Sequence, residues 1–318
     1  MKPALLQIGG ITPRMAERLE AEFTVYPLPA DAGQRETLLA ARAGQIEAVL
    51  TNGHDGVPPE IMAALPRLKV ISSYGVGYDA IDAVAAAKRG IVVAHTPEVL
   101  NDEVANTAIL LWLATARKLV AYDAYVRAGR WETEGAAPLT TSPQNRTVGI
   151  VGLGRIGQAI ADRLPVFGAD VVYFSRTQKD VPYRYYGDLV EMARDCDVLI
   201  CITPGGPETR HLISAEVIDA LGPEGILVNV ARGSVVDEPA MVAALEEGRL
   251  GGAGLDVFEA EPKVPEALFA MENVVLQPHV GSATKETRQA MGDLTCDNLS
   301  AFFRDGKALK VVPECAHL

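Results

Sequence analysis

The chain is sparing with cysteine, aromatic residues and positive charge. Its four cysteines, Cys196, Cys201, Cys296 and Cys315, form no C-x-x-C pair and no His/Cys cluster at zinc spacing. A disulfide framework and a structural metal are therefore not expected, and a reduced, cytoplasmic protein is. Lysine and arginine number 29 against 41 aspartates and glutamates, a net charge of −12. That balance excludes sequence-independent nucleic-acid binding, which needs a basic surface. The apolar run Ala108–Ala114 is far shorter than the roughly 20 residues of a membrane span, so no membrane partner is expected. The N-terminus, with one lysine before Pro3, does not read as a secretory leader. Any anionic ligand must meet a local positive cluster inside an acidic envelope.

At 318 residues the chain has the length of two domains. Short apolar runs at Ala4–Ile8, Thr24–Tyr26, Ala48–Leu50, Lys69–Ser72 and Ile91–Ala94 alternate with helical or turn-rich segments, which implies parallel strands covered by helices. A second set begins at Thr147–Val151. It continues through Asp170–Phe174, Val198–Ile202, Ile226–Asn229, Gly254–Val257 and Val274–Leu276, predicting six strands. The fold class is α/β, with two doubly wound parallel sheets. A long apolar helix over Asn101–Val120 connects the sets. The segment 121–146 is polar, aperiodic and contains Trp131 and Pro138; a loop of that length usually has a job, and an arm embracing a second subunit is expected. The helical tail Lys285–Gly306 cannot extend the second sheet and is expected to return to the first. The domains then read 1–98 with 286–318, and 99–285.

The segment Thr147–Gly157, T-V-G-I-V-G-L-G-R-I-G, carries the strongest chemical signal. Val148–Val151 reads as a buried strand and Gln158–Leu164 as the following helix. In that setting Gly152 allows a tight turn, Gly154 lets backbone approach a pyrophosphate, and Gly157 lets helix and strand pack closely. The alternative is a bare structural turn. Three polar residues stand just after later strands: Arg232 in N-V-A-R-G-S-V-V-D, Glu261 in L-D-V-F-E-A-E-P and His279 in L-Q-P-H-V-G-S-A-T. Ligands of open parallel sheets bind beyond the carboxyl ends of the strands, where these three are placed to converge. Arginine can grip a carboxylate bidentately, histidine can exchange a proton near neutrality, and a carboxylate behind it favours the imidazolium. Singly, each is as well explained as a surface residue; the joint pattern is what points to chemistry.

These motifs, with S-S-Y-G-V-G-Y-D-A-I-D at Ser72–Asp82 and the helix V-L-N-D-E-V-A-N-T-A-I-L-L-W-L, resemble the D-isomer-specific 2-hydroxyacid dehydrogenase family along essentially the whole chain. Within it they look most like the glyoxylate/hydroxypyruvate reductases and their hydroxyphenylpyruvate-reducing relatives. The resemblance implies a flavodoxin-like substrate domain and a Rossmann cofactor domain. It assigns Arg232 to the substrate carboxylate and carbonyl, His279 to acid/base work and Glu261 to His279. It places Tyr74, Val76, Gly77 and Leu100 around the substrate, with backbone N–H groups of Val76 and Gly77 facing its carboxylate. Cofactor contacts fall on Thr107, on Gly152, Gly154, Arg155, Ile156 and Gly157, on Ile202, Thr203 and Pro204, and on Val230, Ala231, Asp256 and Gly281. The implied reaction reduces a small 2-oxo acid to the D-2-hydroxy acid. The alternatives are a bulkier 2-oxo acid and a dinucleotide-sensing protein without turnover. Glutamate at 261, where formate dehydrogenases carry glutamine, disfavours formate oxidation.

Charge predicts the cofactor. NAD-binding folds place Asp or Glu about 20 residues past the glycines, at the end of the second strand. Here that strand ends in Ser175-Arg176-Thr177, while Asp170 opens it. Hydroxyls and a guanidinium suit a 2′-phosphate, so NADPH is preferred and NADH is possible. Arg176 as a solvated surface charge is the alternative.

Overall fold

The computed structural model describes residues 2–318 and divides into two compact units, Met1–Leu100 with Ala283–Leu318, and Asn101–Ser282. The first unit runs β1 (Ala4–Gln7), α1 (Pro13–Glu22), β2 (Thr24–Pro27), α2 (Ala32–Arg42), β3 (Ile46–Asn52), α3 (Pro59–Ala64), β4 (Val70–Tyr74), α4 (Ala83–Lys88) and β5 (Val92–Ala94). Its five parallel strands lie in the order β2-β1-β3-β4-β5, the flavodoxin-like winding. Helix starts follow local chemistry. Thr12 accepts from the Met15 amide with Pro13 in the first turn, and Asp31 and Asp82 cap α2 and α4 in the same way.

The second unit opens with α5 (Asn101–Ala116), α6 (Leu119–Arg127) and α7 (Arg130–Glu134). It continues through β6 (Thr147–Val151), α8 (Arg155–Ala161), β7 (Asp170–Phe174), β8 (Arg184–Tyr186), α9 (Leu189–Asp195), β9 (Val198–Cys201), α10 (Ala215–Leu221), β10 (Ile226–Asn229), α11 (Glu238–Glu246), β11 (Gly252–Leu255) and β12 (Val274–Leu276). The seven parallel strands order as β12-β11-β10-β9-β6-β7-β8. Leu199, Ile200, Cys201, Leu227 and Val228 are fully buried, as expected of strands covered on both faces. The tail forms α12 (Lys285–Asp305) in the first unit, where Ser72 Oγ donates to Thr295 O at 3.0 Å and Gly306 closes the helix in a left-handed conformation.

Three expectations need correction. The Asn101–Val120 helix is two helices: Lys118 takes φ 48°, and α5 and α6 meet at 58°. Segment 121–146 is not a plain loop, because most of α6 and all of α7 fall in it. Its later part is tied back by Tyr125 Oη to Gly135 O (3.0 Å) and Arg117 Nε to Thr140 Oγ1 (3.0 Å). The second sheet has a seventh strand, β8, a short edge strand whose R-Y-Y sequence is too exposed to show an apolar period. Among the described residues no single helix is long and apolar enough to cross a membrane.

Candidate active site

In the second unit the chain passes from β6 outward to β7 and β8, then crosses back to β9, which makes the β6/β9 boundary the topological switch point. Gly152 leaves β6 with φ 105°, and a Cβ there would lie 3.0 Å from the Ile202 carbonyl carbon and oxygen just beyond β9. A Cβ on Gly157 would lie 2.3 Å from Gly152 O, so the turn folds directly onto α8. Gly154, which precedes α8, has open space where a Cβ would stand. Arg155 is exposed and Ile156 half-buried beside it. At the same boundary the Thr203 hydroxyl is buried without a protein partner. A narrow turn with accessible backbone beside an orphaned hydroxyl suits a dinucleotide pyrophosphate, so the residues present fit the implied cofactor.

At the far end of β7, Ser175 Oγ donates to Thr177 O (2.6 Å) and Tyr185 Oη donates to Ser175 O (3.3 Å). The Arg176 side chain is 86 % exposed, and its Nη1 lies 3.6 Å from Glu208 Oε2. No carboxylate terminates the strand, and Asp170 stands at its opposite end.

Beyond β10, buried Asn229 shapes the turn that presents Arg232. Its Oδ1 accepts from the Ala231 amide and its Nδ2 donates to Arg232 O, both at 3.0 Å. Arg232 is half-buried, with Nη1 donating to Ala231 O at 2.8 Å. Gly233 then touches the loop that carries Glu261: a Cβ there would sit 1.9 Å from the Phe258 carbonyl carbon and 2.2 Å from the Glu259 nitrogen. Only glycine permits that approach, which puts the Arg232 and Glu261 turns in contact.

His279 Nδ1 lies 2.8 Å from Glu261 Oε2, and Glu261 Oε1 accepts from the Phe258 amide at 3.0 Å. The imidazole is 42 % exposed on its side chain, while the carboxylate behind it is mostly covered. His279 has φ 53°, an unusual conformation for a non-glycine residue. Asp256, 2 % exposed at the end of β11, holds that conformation. Its carbonyl accepts from the His279 amide (2.7 Å), Oδ1 from the Val280 amide (2.7 Å) and Oδ2 from the Gly281 amide (2.8 Å). Burial pushes the Asp256 carboxyl above its ordinary range, against the pull of the two amides. Thr107 on α5 completes the support by donating to Gly281 O at 3.2 Å.

The sequence pattern did not show this service of Asp256 and Asn229; each is a polar residue ending a buried strand, and that position was the available signal. The second unit also holds a supporting chain of charges that was missed. Glu238 Oε2 accepts from the Glu259 amide (3.0 Å), while Glu259 Oε1 takes Arg210 Nη2 (2.6 Å) and lies 3.3 Å from His211 Nε2. Ile202, Pro204, Val230 and Ala231 occupy the turns after β9 and β10.

In the first unit Val76 and Gly77 are half-buried in the loop after β4. Tyr74 donates its hydroxyl to Arg288 O (3.0 Å), and burial pushes that phenol's pKa up. Leu100 is buried at the end of its segment, 4 % exposed. Among the described residues no group of three or more His, Cys, Asp or Glu is arranged to hold a metal ion.

Comparison with known proteins agrees with this anatomy. The family model "D-isomer specific 2-hydroxyacid dehydrogenase, NAD binding domain" matches residues 109–281. The hydroxyphenylpyruvate reductase of Plectranthus scutellarioides is 49% identical over 296 residues, 93% of this chain and 94% of that protein. The 2-ketogluconate reductase of Gluconobacter oxydans is 46% identical and covers 98% of this chain and 99% of its own length. The crystal structure of an NADPH-dependent glyoxylate/hydroxypyruvate reductase from Sinorhizobium meliloti, in complex with NADP and malonate, superposes with a TM-score of 0.94 at 47% identity, covering 99% of this chain and 98% of that one. With its two parallel sheets, its glycine turn at the switch point and its paired Glu261 and His279, the chain belongs to the D-isomer specific 2-hydroxyacid dehydrogenase family and is an NAD(P)-using enzyme.

Proposed function

We propose that this enzyme reduces a small 2-oxo acid, glyoxylate or hydroxypyruvate, to the D-2-hydroxy acid with NADPH. The 2.8 Å contact between His279 Nδ1 and Glu261, on a loop in contact with the Arg232 turn, carries the reading. With Nδ1 facing a carboxylate, His279 presents Nε2 as the proton donor to the carbonyl oxygen, and Glu261 stabilises the imidazolium before transfer. Arg232 holds the substrate carboxylate and polarises the carbonyl. In the first unit the Val76 and Gly77 amides take the carboxylate, with Tyr74 and Leu100 bounding the substrate. A bound nicotinamide supplies the hydride. Gly152, Gly154, Arg155, Ile156 and Gly157 receive its pyrophosphate. Thr107, Ile202 to Pro204, Val230, Ala231, Asp256 and Gly281 line the remainder of the cofactor.

NADPH preference is supported by the exposed Arg176 beside Ser175 and Thr177 and by a strand that does not end in a carboxylate. A bulkier substrate is the second reading, favoured by the relatives that reduce hydroxyphenylpyruvate and 2-ketogluconate. Loss of NADPH absorbance across a panel from glyoxylate to 4-hydroxyphenylpyruvate and 2-ketogluconate, repeated with NADH, decides among them. Silence with every 2-oxo acid would overturn the assignment and favour the dinucleotide sensor.

The same reading makes the protein a cytoplasmic homodimer. Its four cysteines are buried thiols. Leu119, Val120, Val126, Trp131 and Leu139 expose apolar surface on α6, α7 and the segment after them, which a second copy would cover. Light scattering that gives the mass of one chain, 33.8 kDa, at micromolar concentration counts against it.

A further inference from the structure

His95 leaves β5 in the first unit, and its side chain has no part in the reading above. Its backbone is secured on both sides: the His95 amide donates to Lys310 O (3.0 Å), and His95 O accepts from Nδ2 of buried Asn298 (3.0 Å). The next amide, Thr96, donates to Gly75 O at 2.9 Å, tying the loop after β4 to the exit of β5. The His95 ring then reaches the same loop, with Nδ1 2.9 Å from Val76 O. A carbonyl only accepts, so Nδ1 carries the proton and the ring is fixed in one orientation. Tyr78 packs edge-on against the imidazole, 5.4 Å between ring centroids at 87°, and its own hydroxyl donates to the Glu314 carboxylate at 3.1 Å.

A trans peptide is planar, and its C=O and N–H point in opposite directions. Fixing Val76 O therefore fixes the Gly77 N–H on the other side of the same peptide. A donor on that carbonyl also polarises the peptide and strengthens the N–H as a donor. The Val76 and Gly77 amides donate to no backbone carbonyl among the described residues. We propose that His95 is a positioning residue for substrate: its Nδ1–H locks the Val76–Gly77 peptide so that the Gly77 N–H is aimed and strengthened for a carboxylate. This rests on the assignment of the Val76 and Gly77 amides to the substrate carboxylate.

The test compares His95→Phe with His95→Asn. Phenylalanine keeps the ring against Tyr78 and removes the donor; asparagine places an amide N–H at the same number of bonds from Cα as Nδ1. His95→Phe is expected to raise KM for the 2-oxo acid about two- to tenfold, the value of one hydrogen bond, with kcat and KM for NADPH nearly unchanged. His95→Asn is expected to recover most of the loss. Malonate binding to the NADPH-loaded enzyme, followed by calorimetry, gives a readout independent of turnover and should weaken in His95→Phe by the same factor. Wild-type KM and malonate affinity in His95→Phe, or equal damage in both variants, would overturn the role. If wild type turned over no 2-oxo acid but bound malonate in a His95-dependent way, the functional assignment would fail and this positioning role would stand.

Discussion

His279 and His95 each follow the carboxyl end of a parallel strand, and each hydrogen-bonds through Nδ1 in a loop anchored by a buried polar side chain. The partners differ. In the second unit Nδ1 meets the Glu261 carboxylate at 2.8 Å, and in the first it meets the Val76 carbonyl at 2.9 Å. A carboxylate rewards positive charge, so His279 is equipped to hold and release a proton. A carbonyl asks only for an N–H, so His95 serves as a fixed donor. The anchors match this division: Asp256 takes three groups around His279 through its two carboxyl oxygens and its carbonyl, whereas the amide of Asn298 bridges His95 O and the Lys310 amide. The same side chain, placed by the same fold rule, does different work according to the group behind it.

The sharpest way to break this contrast is to remove the proton carrier. His279→Ala should lower turnover about 100- to 10,000-fold and abolish the fall in reduction rate at alkaline pH, with little change in melting temperature because the ring is half-exposed. Initial rates across pH decide it; near-normal turnover with the pH dependence intact would remove His279 from proton transfer. Glu261→Gln keeps a hydrogen-bonding group but loses the anion, so its rate should be intermediate.

The anchors give the next effect. Asp256→Ala leaves the Val280 and Gly281 amides without their acceptor, and a buried group left unpaired costs roughly 1–3 kcal/mol. Asn298→Ala should cost a similar amount in the first unit, since it frees His95 O and the Lys310 amide. Denaturant unfolding measures both. The variants should part in kinetics: Asp256→Ala disturbs the pH–rate profile, whereas Asn298→Ala leaves its shape unchanged and raises KM for the 2-oxo acid. Identical kinetic signatures would erase the distinction between the two loops.

Much of this is legible in the amino-acid sequence. The parallel strands announced themselves as continuous apolar runs because both faces are covered, and the glycine turn did so because its positive φ and close approaches admit no side chain. Arg232, Glu261 and His279 were visible by their place after strands. Edge strand β8 was not, because its residues lie half in water and lose the apolar signal. Helices α6 and α7 were hidden because neither buries a residue within its own unit, which erases the helical period. The roles of Asp256, Asn229 and His95 depend on which amide or carbonyl each polar atom meets, and residue type at a strand end does not encode that.

Away from both histidines, Arg176 tests the cofactor reading. Arg176→Ala should raise KM for NADPH by about two- to fivefold, as expected for an exposed charge pair, and leave NADH unchanged. Glu208 lies beside the same guanidinium, so Glu208→Gln should lower KM for NADPH slightly. Equal losses with both cofactors in Arg176→Ala would show that the residue does not read the phosphate.

The smallest expected effect probes the carboxylates gathered near Glu261, the partner of His279. Burial, followed by the like charges of Glu259 and Glu261, raises the Glu238 carboxyl above its usual 4.5, while its bond from the Glu259 amide opposes the rise. A carboxyl whose folded-state pKa is raised favours the fold when protonated and costs stability once ionised. The cost is absent below about pH 4.5 and complete above the raised value. Glu238→Gln keeps an oxygen for the Glu259 amide and removes the charge. It should therefore raise the melting temperature at neutral pH by about 1–2 °C, and the gain should fade as the solution is acidified toward 4.5. Scanning calorimetry at three pH values reads this directly. A gain that persisted unchanged in acid would mean that packing, rather than relief of a buried charge among its neighbours, accounts for it.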